Sequence, residues 1–447
     1  MKFTRRVLTL ILGFTTLILI CVQSQLSDAQ PVQLPNFVGR YIATLSDGDF
    51  LASTYADGKL PDSINPDRLS IIQLPLDERA AIAQVEASNS VTGAPYAFDL
   101  TANGQTAFVV ETLAAPPIGA TQRDQLPPGQ QLVMIDLSDS RRPRVESVVA
   151  IAPKPETVSV HPGGALLTIS TQTPGREILL IPIQNEVFGQ PIEFSLSQLG
   201  IQPDPDRFQD GMYVSSVQWH PSGRYLAVNL TYRDQIAFYE LRQDQSGNPQ
   251  LIPWGTPVNV GKDPFTGQFT PDGRFYLTSN WGRNFGENIT TLEQRIPSAQ
   301  GTVSVIQLAL DNAQHQVVST ATSDLSPESL AISPDGSLVV TVNMRGTLFP
   351  PLSPRFTREA SLSLLKLEQS GQLTKVGDYP FEGILPESAA FDASGNYLAV
   401  AVYDYFTSKP EAGIELWQVI RSPELGLRHT RQVIEVDRGA HQVMIAP

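Results

Sequence analysis

Seven glycines set the frame of this chain: Gly48, Gly104, Gly164, Gly223, Gly273, Gly336 and Gly395, spaced 50 to 63 residues apart. Each follows Asp47, Asn103, Gly163, Ser222, Asp272, Asp335 or Ser394. These residue types suit tight turns, and glycine takes positive φ at little steric cost. After each glycine comes a short run such as Phe50-Leu51, Tyr225 to Val228, Leu338 to Val340 or Tyr397 to Val400. Aliphatic and aromatic runs bounded by turn residues read as buried strands. A third strand follows in each period, from Leu69 to Ile72 in the first and from Ile414 to Trp417 in the last. Weaker fourth strands, such as Val317 to Thr320, complete the unit. Four strands per period over seven periods predicts an all-β fold, a seven-bladed β-propeller of four-stranded antiparallel blades.

Two copies of the repeat carry a family resemblance. Phe269 to Asn280 (FTPDGRFYLTSN) and Ile332 to Asn343 (ISPDGSLVVTVN) look like the YVTN-type repeat of seven-bladed propellers. That superfamily includes lactonase-like, phosphogluconolactonase-type proteins. The resemblance spans nearly the whole chain after its N-terminal segment. It implies the propeller fold and acid-base side chains working on one propeller face.

Residues 1–29 read as a secretory signal peptide. Lys2, Arg5 and Arg6 precede an apolar run from Val7 to Val22, and Ser27-Asp28-Ala29 supplies small residues for cleavage. A retained anchor is the alternative, and the membrane is a partner only in that case. Cys21 is the only cysteine, but Ile18-Leu19-Ile20 before it lacks the small residues a lipid-anchor signal needs. The expected location is extracytoplasmic, periplasmic or secreted. Residues 30–38 form a linker and 39–447 the propeller. The chain carries 31 basic and 45 acidic residues, a formal charge of −14. That excess excludes nucleic acid as a main partner. The C-terminal segment Ala440 to Pro447 aligns with the first strand of the sixth unit, Pro327 to Pro334, but has no second strand after it. It is expected to pair with the N-terminal unit, where Tyr41 to Leu45 competes for the same slot.

In such a blade, the short turns occupy one face and the loops between second and third strands the other. The long insertions all fall on the second face, and long loops on a rigid scaffold are where binding groups concentrate. Trp281, Arg283, Arg345, Arg355, Arg358, Tyr403 and Tyr405 are therefore the expected ligand-binding residues. Flat aromatics with directed cationic donors suit a protein, a peptide or a small anionic ligand. Glu156, Glu328 and Glu387 each follow a proline at the start of a first strand, and His441 aligns with them. First strands line a propeller's channel, so these four are the catalytic candidates, with a divalent cation as possible cofactor. A structural carboxylate repeated from blade to blade is the competing reading. Asp204, Asp206 and Asp210 are weaker metal candidates, because Phe208 interrupts their alternation and no glutamate closes the loop. The sequence favours a ligand- or protein-binding module. A lactonase-like hydrolase or isomerase using the channel-mouth carboxylates is the alternative, and an assembly scaffold a third reading.

Overall fold

A computed structural model describes residues 34–447, apart from 78–80, 90, 287, 312 and 408–409. The proposed signal peptide lies outside the described residues. Seven antiparallel sheets are arranged as blades, each with four main strands. The innermost strands are Ala440–Ala446 of blade 1, Phe98–Leu100, Pro155–Val160, Ser216–Trp219, Pro264–Phe269, Pro327–Ile332 and Ile384–Phe391 of blade 7. Second strands are buried along their length, as in Tyr225–Leu230 and Leu338–Asn343. Outer strands alternate, as Leu373–Glu382 does, because only one of their faces meets a neighbouring blade. The core is therefore laid down between blades. Between blades 6 and 7, for example, Val340, Leu362 and Leu364 pack with Leu398, Val400 and Trp417.

The inner turns lock blade to blade. Gly104, Gly164, Gly223, Gly273, Gly336 and Gly395 all have φ between 61° and 73°, the left-handed region predicted for them. His161 donates from Nε2 to the Gly223 carbonyl at 2.8 Å, and His220 does the same to Gly273 at 2.9 Å. The two His-Pro turns are thus pins between successive blades. Tyr41 closes the series with a 2.6 Å bond to the Gly104 carbonyl.

Blade 1 departs from the expected register. Its order from the channel outward is Ala440–Ala446, Tyr41–Ser46, Asp67–Gln73, Ala83–Ser88. The C-terminal strand takes the innermost slot and Tyr41–Ser46 pairs with it as the second strand, so the two do not compete. Gly48 consequently does not sit in an inner turn. It lies in the loop between second and third strands, and Phe50-Leu51 leads into the short helix Ala52–Asp57 instead of a strand. The Asp47-Gly48 pair imitates the repeat while standing on the opposite face.

Candidate active site

The glutamates at the channel mouth are placed by one device used repeatedly. In blades 1, 3, 5, 6 and 7 the pairing of first with second strand slips by one residue, at His441, Glu156, Phe265, Glu328 and Glu387. A bulge of this kind turns a side chain out of the regular alternation. Two residues earlier the backbone is left-handed in the last four, at Lys154, Asp263, Ser326 and Leu385, with φ from 49° to 62°. In blade 1 Gly439, at φ 80°, stands two residues before His441.

The three glutamates meet a cavity of about 250 Å³ at the mouth. Its floor carries Glu156, Glu328 and Glu387, and its walls include Arg283, Tyr213, Tyr232 and Trp281. Glu387 Oε1 lies 3.7 Å from His441 Nδ1, and both side chains are buried. Neither His441 nitrogen, nor Glu328 Oε1, has a hydrogen-bond partner. Buried polar atoms are normally satisfied, so Glu328 Oε1, on the cavity lining, is available to a molecule bound there. Glu156 accepts hydrogen bonds from the Tyr213 hydroxyl and from Gln172 Nε2, the latter at 3.1 Å.

Arg283 is the cation inside this ring. Its Nε and Nη2 reach Asp263 at 2.8 and 3.1 Å, and its backbone N–H adds a bond to the same carboxylate. The guanidinium lies 3.9 Å from the Trp281 ring centroid, 4.2 Å from Phe265 and 5.3 Å from Phe285. Burial alone would push Arg283 down, but Asp263 and then Glu328 more than offset this and hold it charged. The carboxyls go the other way. Burial pushes Glu156 up to about 7 against the pull of Tyr213 and Gln172. Burial, and then the charge of Glu387, holds Glu328 well above the usual range. Burial also raises Glu387, with His441 pulling it back. Both carboxyls are thus held above the usual range, Glu328 by burial and the charge of Glu387, Glu387 by burial against the pull of His441. Paired carboxyls with raised pKa values are groups that acid-base chemistry can use.

A model of the family described as lactonase, 7-bladed beta-propeller, matches residues 70–404, most of the chain. This chain belongs to the lactonase seven-bladed β-propeller family. Solved lactonase-type propellers share the fold. A provisionally named 6-phosphogluconolactonase of Bacteroides fragilis is 17% identical, with 94% of this chain and 100% of that chain covered and a TM-score of 0.61. The periplasmic gluconolactonase of Pseudomonas aeruginosa is also 17% identical, covering 91% and 99% at a TM-score of 0.60. A functionally unknown protein from Desulfotomaculum acetoxidans is 12% identical, covering 91% and 99% at 0.59. No curated protein sequence matches significantly.

Within this lactonase-family propeller, the four catalytic candidates from the sequence, Glu156, Glu328, Glu387 and His441, come together at the channel. Of the seven expected binding residues, only Trp281 and Arg283 line the cavity. The others hold loops to one another. Arg355 donates to the carbonyls of Glu293 and Pro297 and lies over Phe349. Arg345 pairs with Asp324 and Glu359, and Arg358 with Glu382. Tyr403 is fully buried and donates to Asp47, and Tyr405 donates to Glu415. The long loops form a core of their own around Phe50, Trp281, Phe349 and Tyr403.

The Asp204 loop does not converge on a point. Asp204 pairs with Arg207 and caps the Asp206 N–H, and Arg207 turns its other side to Asp234. Tyr55, Arg123, Tyr213 and Tyr232 line the cavity and were not anticipated. Tyr213 stands in a connection between blades. That connection shares a face with the long loops, and nothing in its composition sets Tyr213 apart.

Proposed function

We propose that this protein is a lactone hydrolase working at the channel mouth. The observation that carries the reading is the convergence of Glu328, Glu387 and Arg283 in one small cavity, with His441 3.7 Å from Glu387, in a member of the lactonase propeller family. Glu387, oriented by His441, takes a proton from a water as its oxygen bonds to the lactone carbonyl carbon. The charge that develops on the carbonyl oxygen is met by Arg283, already locked in place by Asp263. Collapse breaks the ring C–O bond. Glu328, kept protonated by burial, gives its proton to the leaving ring oxygen, and an open-chain hydroxy acid remains. The cavity is smaller than the roughly 300–1,000 Å³ of drug-sized ligand sites, which fits a substrate of monosaccharide size. Arg123 and Arg295 on its walls favour a lactone bearing an anionic group such as phosphate or carboxylate. We assign the protein to an extracytoplasmic compartment, on the strength of the N-terminal apolar segment.

The test is ring opening of glucono-δ-lactone and its 6-phosphate by purified protein, followed by proton release. Turnover above the spontaneous rate, lost in Glu387→Gln with the fold intact, supports the hydrolase. Saturable lactone binding with no turnover returns the protein to the binding-module reading.

A further inference from the structure

Asp47, Asp49 and Asp67 lie outside the catalytic constellation. Each offers a carboxylate oxygen, and these oxygens all lie within 4.8 Å of one another, the one such group of metal-binding side chains among the described residues. All three residues are fully buried. Asp47 and Asp49 flank Gly48, and Asp67 opens the third strand of blade 1. Asp67 is anchored through Oδ1 to the Gly48 N–H at 2.9 Å and through Oδ2 to Ser88 Oγ at 2.8 Å. Asp47 Oδ2 accepts from the Tyr403 hydroxyl at 3.0 Å. The neighbouring arginines do not serve the cluster: Arg68 pairs with Glu86 and Asp437, and Arg438 binds the carbonyls of Gly48 and Ser63.

A second observation is independent of the clustering. Asp47 Oδ1, on a side chain with no exposure, accepts no hydrogen bond, and the equally buried Ser46 Oγ beside it has no partner. An orphaned oxygen at such a point is destabilising, the more so when it is charged. The donor set is oxygen only, with no histidine or thiol, which selects a hard cation over a transition metal.

We propose that Asp47, Asp49 and Asp67 bind a calcium ion at the seam where the ring closes. Asp47 N–H donates to the Gly439 carbonyl at 2.8 Å, and Gly439 N–H donates to the Tyr403 carbonyl at 3.1 Å. The cluster thus stands where the closing strand of blade 1 meets blade 7. A cation there holds three carboxylates, the seam and the loop that carries Tyr55 to the mouth.

Terbium replaces calcium and emits when a nearby tyrosine absorbs, and Tyr403 is in place to sensitise it. The purified protein is expected to give saturable emission at one terbium per chain, displaced by calcium. Calcium is expected to raise Tm. Asp47→Asn should weaken calcium binding at least about tenfold, with folding checked by circular dichroism, and Asp49→Asn serves if that variant fails to fold. Terbium emission that is non-stoichiometric or persists in these variants overturns the proposal. So does a Tm that ignores calcium and rises in Asp47→Asn, because the cluster then holds protons. None of these readouts depends on lactone turnover.

Discussion

Asp263 grips Arg283 with both carboxylate oxygens, and it does so from a left-handed backbone position two residues before the bulge of blade 5. Of the five blades bulged there, blade 5 has Phe265 and blade 1 His441 where the other three carry a glutamate. At blade 5 the ring turns a cation toward the channel in place of an acid. Asp263 is 1% exposed and Arg283 15%, so this pair differs in kind from the surface pairs. Asp263→Ala should lower stability by about 3–5 kcal/mol, the cost of stranding one charge of a buried pair. It should also cut kcat about a hundredfold, because Arg283 loses its aim. Arg283→Lys should not restore activity, since an ammonium cannot reproduce the planar fork. Urea unfolding and lactone kinetics check both.

Glu328 predicts an opposition between stability and activity. Its folded pKa lies above its unfolded value, so the native state binds more protons in the interval between them. Stability contributed by this group is full below the unfolded pKa near 4.5 and falls as pH rises through the folded value. Glu156, raised to about 7 by burial, acts in the same direction and is worth about 3 kcal/mol over that window. Thermal unfolding should therefore show Tm falling from pH 5 to pH 8. Glu328→Gln should raise Tm at pH 8 by about 1–3 °C and lower kcat by at least about a hundredfold.

His441 is a positioning residue for Glu387, and the pH profile exposes the role. Activity should rise with pH as Glu387 ionises. His441 pulls the Glu387 pKa down against burial. His441→Gln should shift the acid limb of the kcat profile to higher pH. A role in packing alone would leave the limb where it is and lower only the amplitude.

Arg345→Gln and Arg358→Gln should leave kcat/KM within about twofold of the parent. Both guanidiniums pair with carboxylates away from the cavity, and the Arg358–Glu382 pair is about half exposed. Such pairs are worth about 0–1 kcal/mol. A large loss of activity in either variant would relocate the site.

Gly439→Ala should destabilise the ring more than a surface change can. Its φ is 80°, and an added Cβ would run into the Asp47 carbonyl. The expected loss is about 2 kcal/mol or more, by strain and displacement of the closing strand. Urea midpoints measure it.

The fold was legible because each blade repeats a turn whose glycine must be left-handed, and six of the seven glycines chosen on that basis are. Gly48 misled because an Asp-Gly pair fits a loop as well as a hairpin turn, and spacing alone does not say which face a turn occupies. Glu156, Glu328 and Glu387 were legible for the same reason as the blades: repetition put them in one register. The binding arginines were not. A long loop with aromatics and arginines reads the same whether it faces a ligand or its neighbour, and only contacts distinguish Arg283 over the channel from Arg355 tying Phe349 to Pro297. Alignment of the repeats places Asp263 near the glutamate position of blade 5, but its pairing with Arg283 across 20 residues depends on a loop returning to its own blade.

His441 stands on the strand that pairs with Tyr41–Ser46, across nearly the full length of the propeller sequence. Six blades must be synthesised before that strand exists. Until it arrives, blade 1 lacks its inner edge, the channel lacks one wall, and Glu387 lacks its histidine. Ring closure and assembly of the acid-base pair are therefore one event, and a partly made chain carries neither a sealed ring nor a complete dyad.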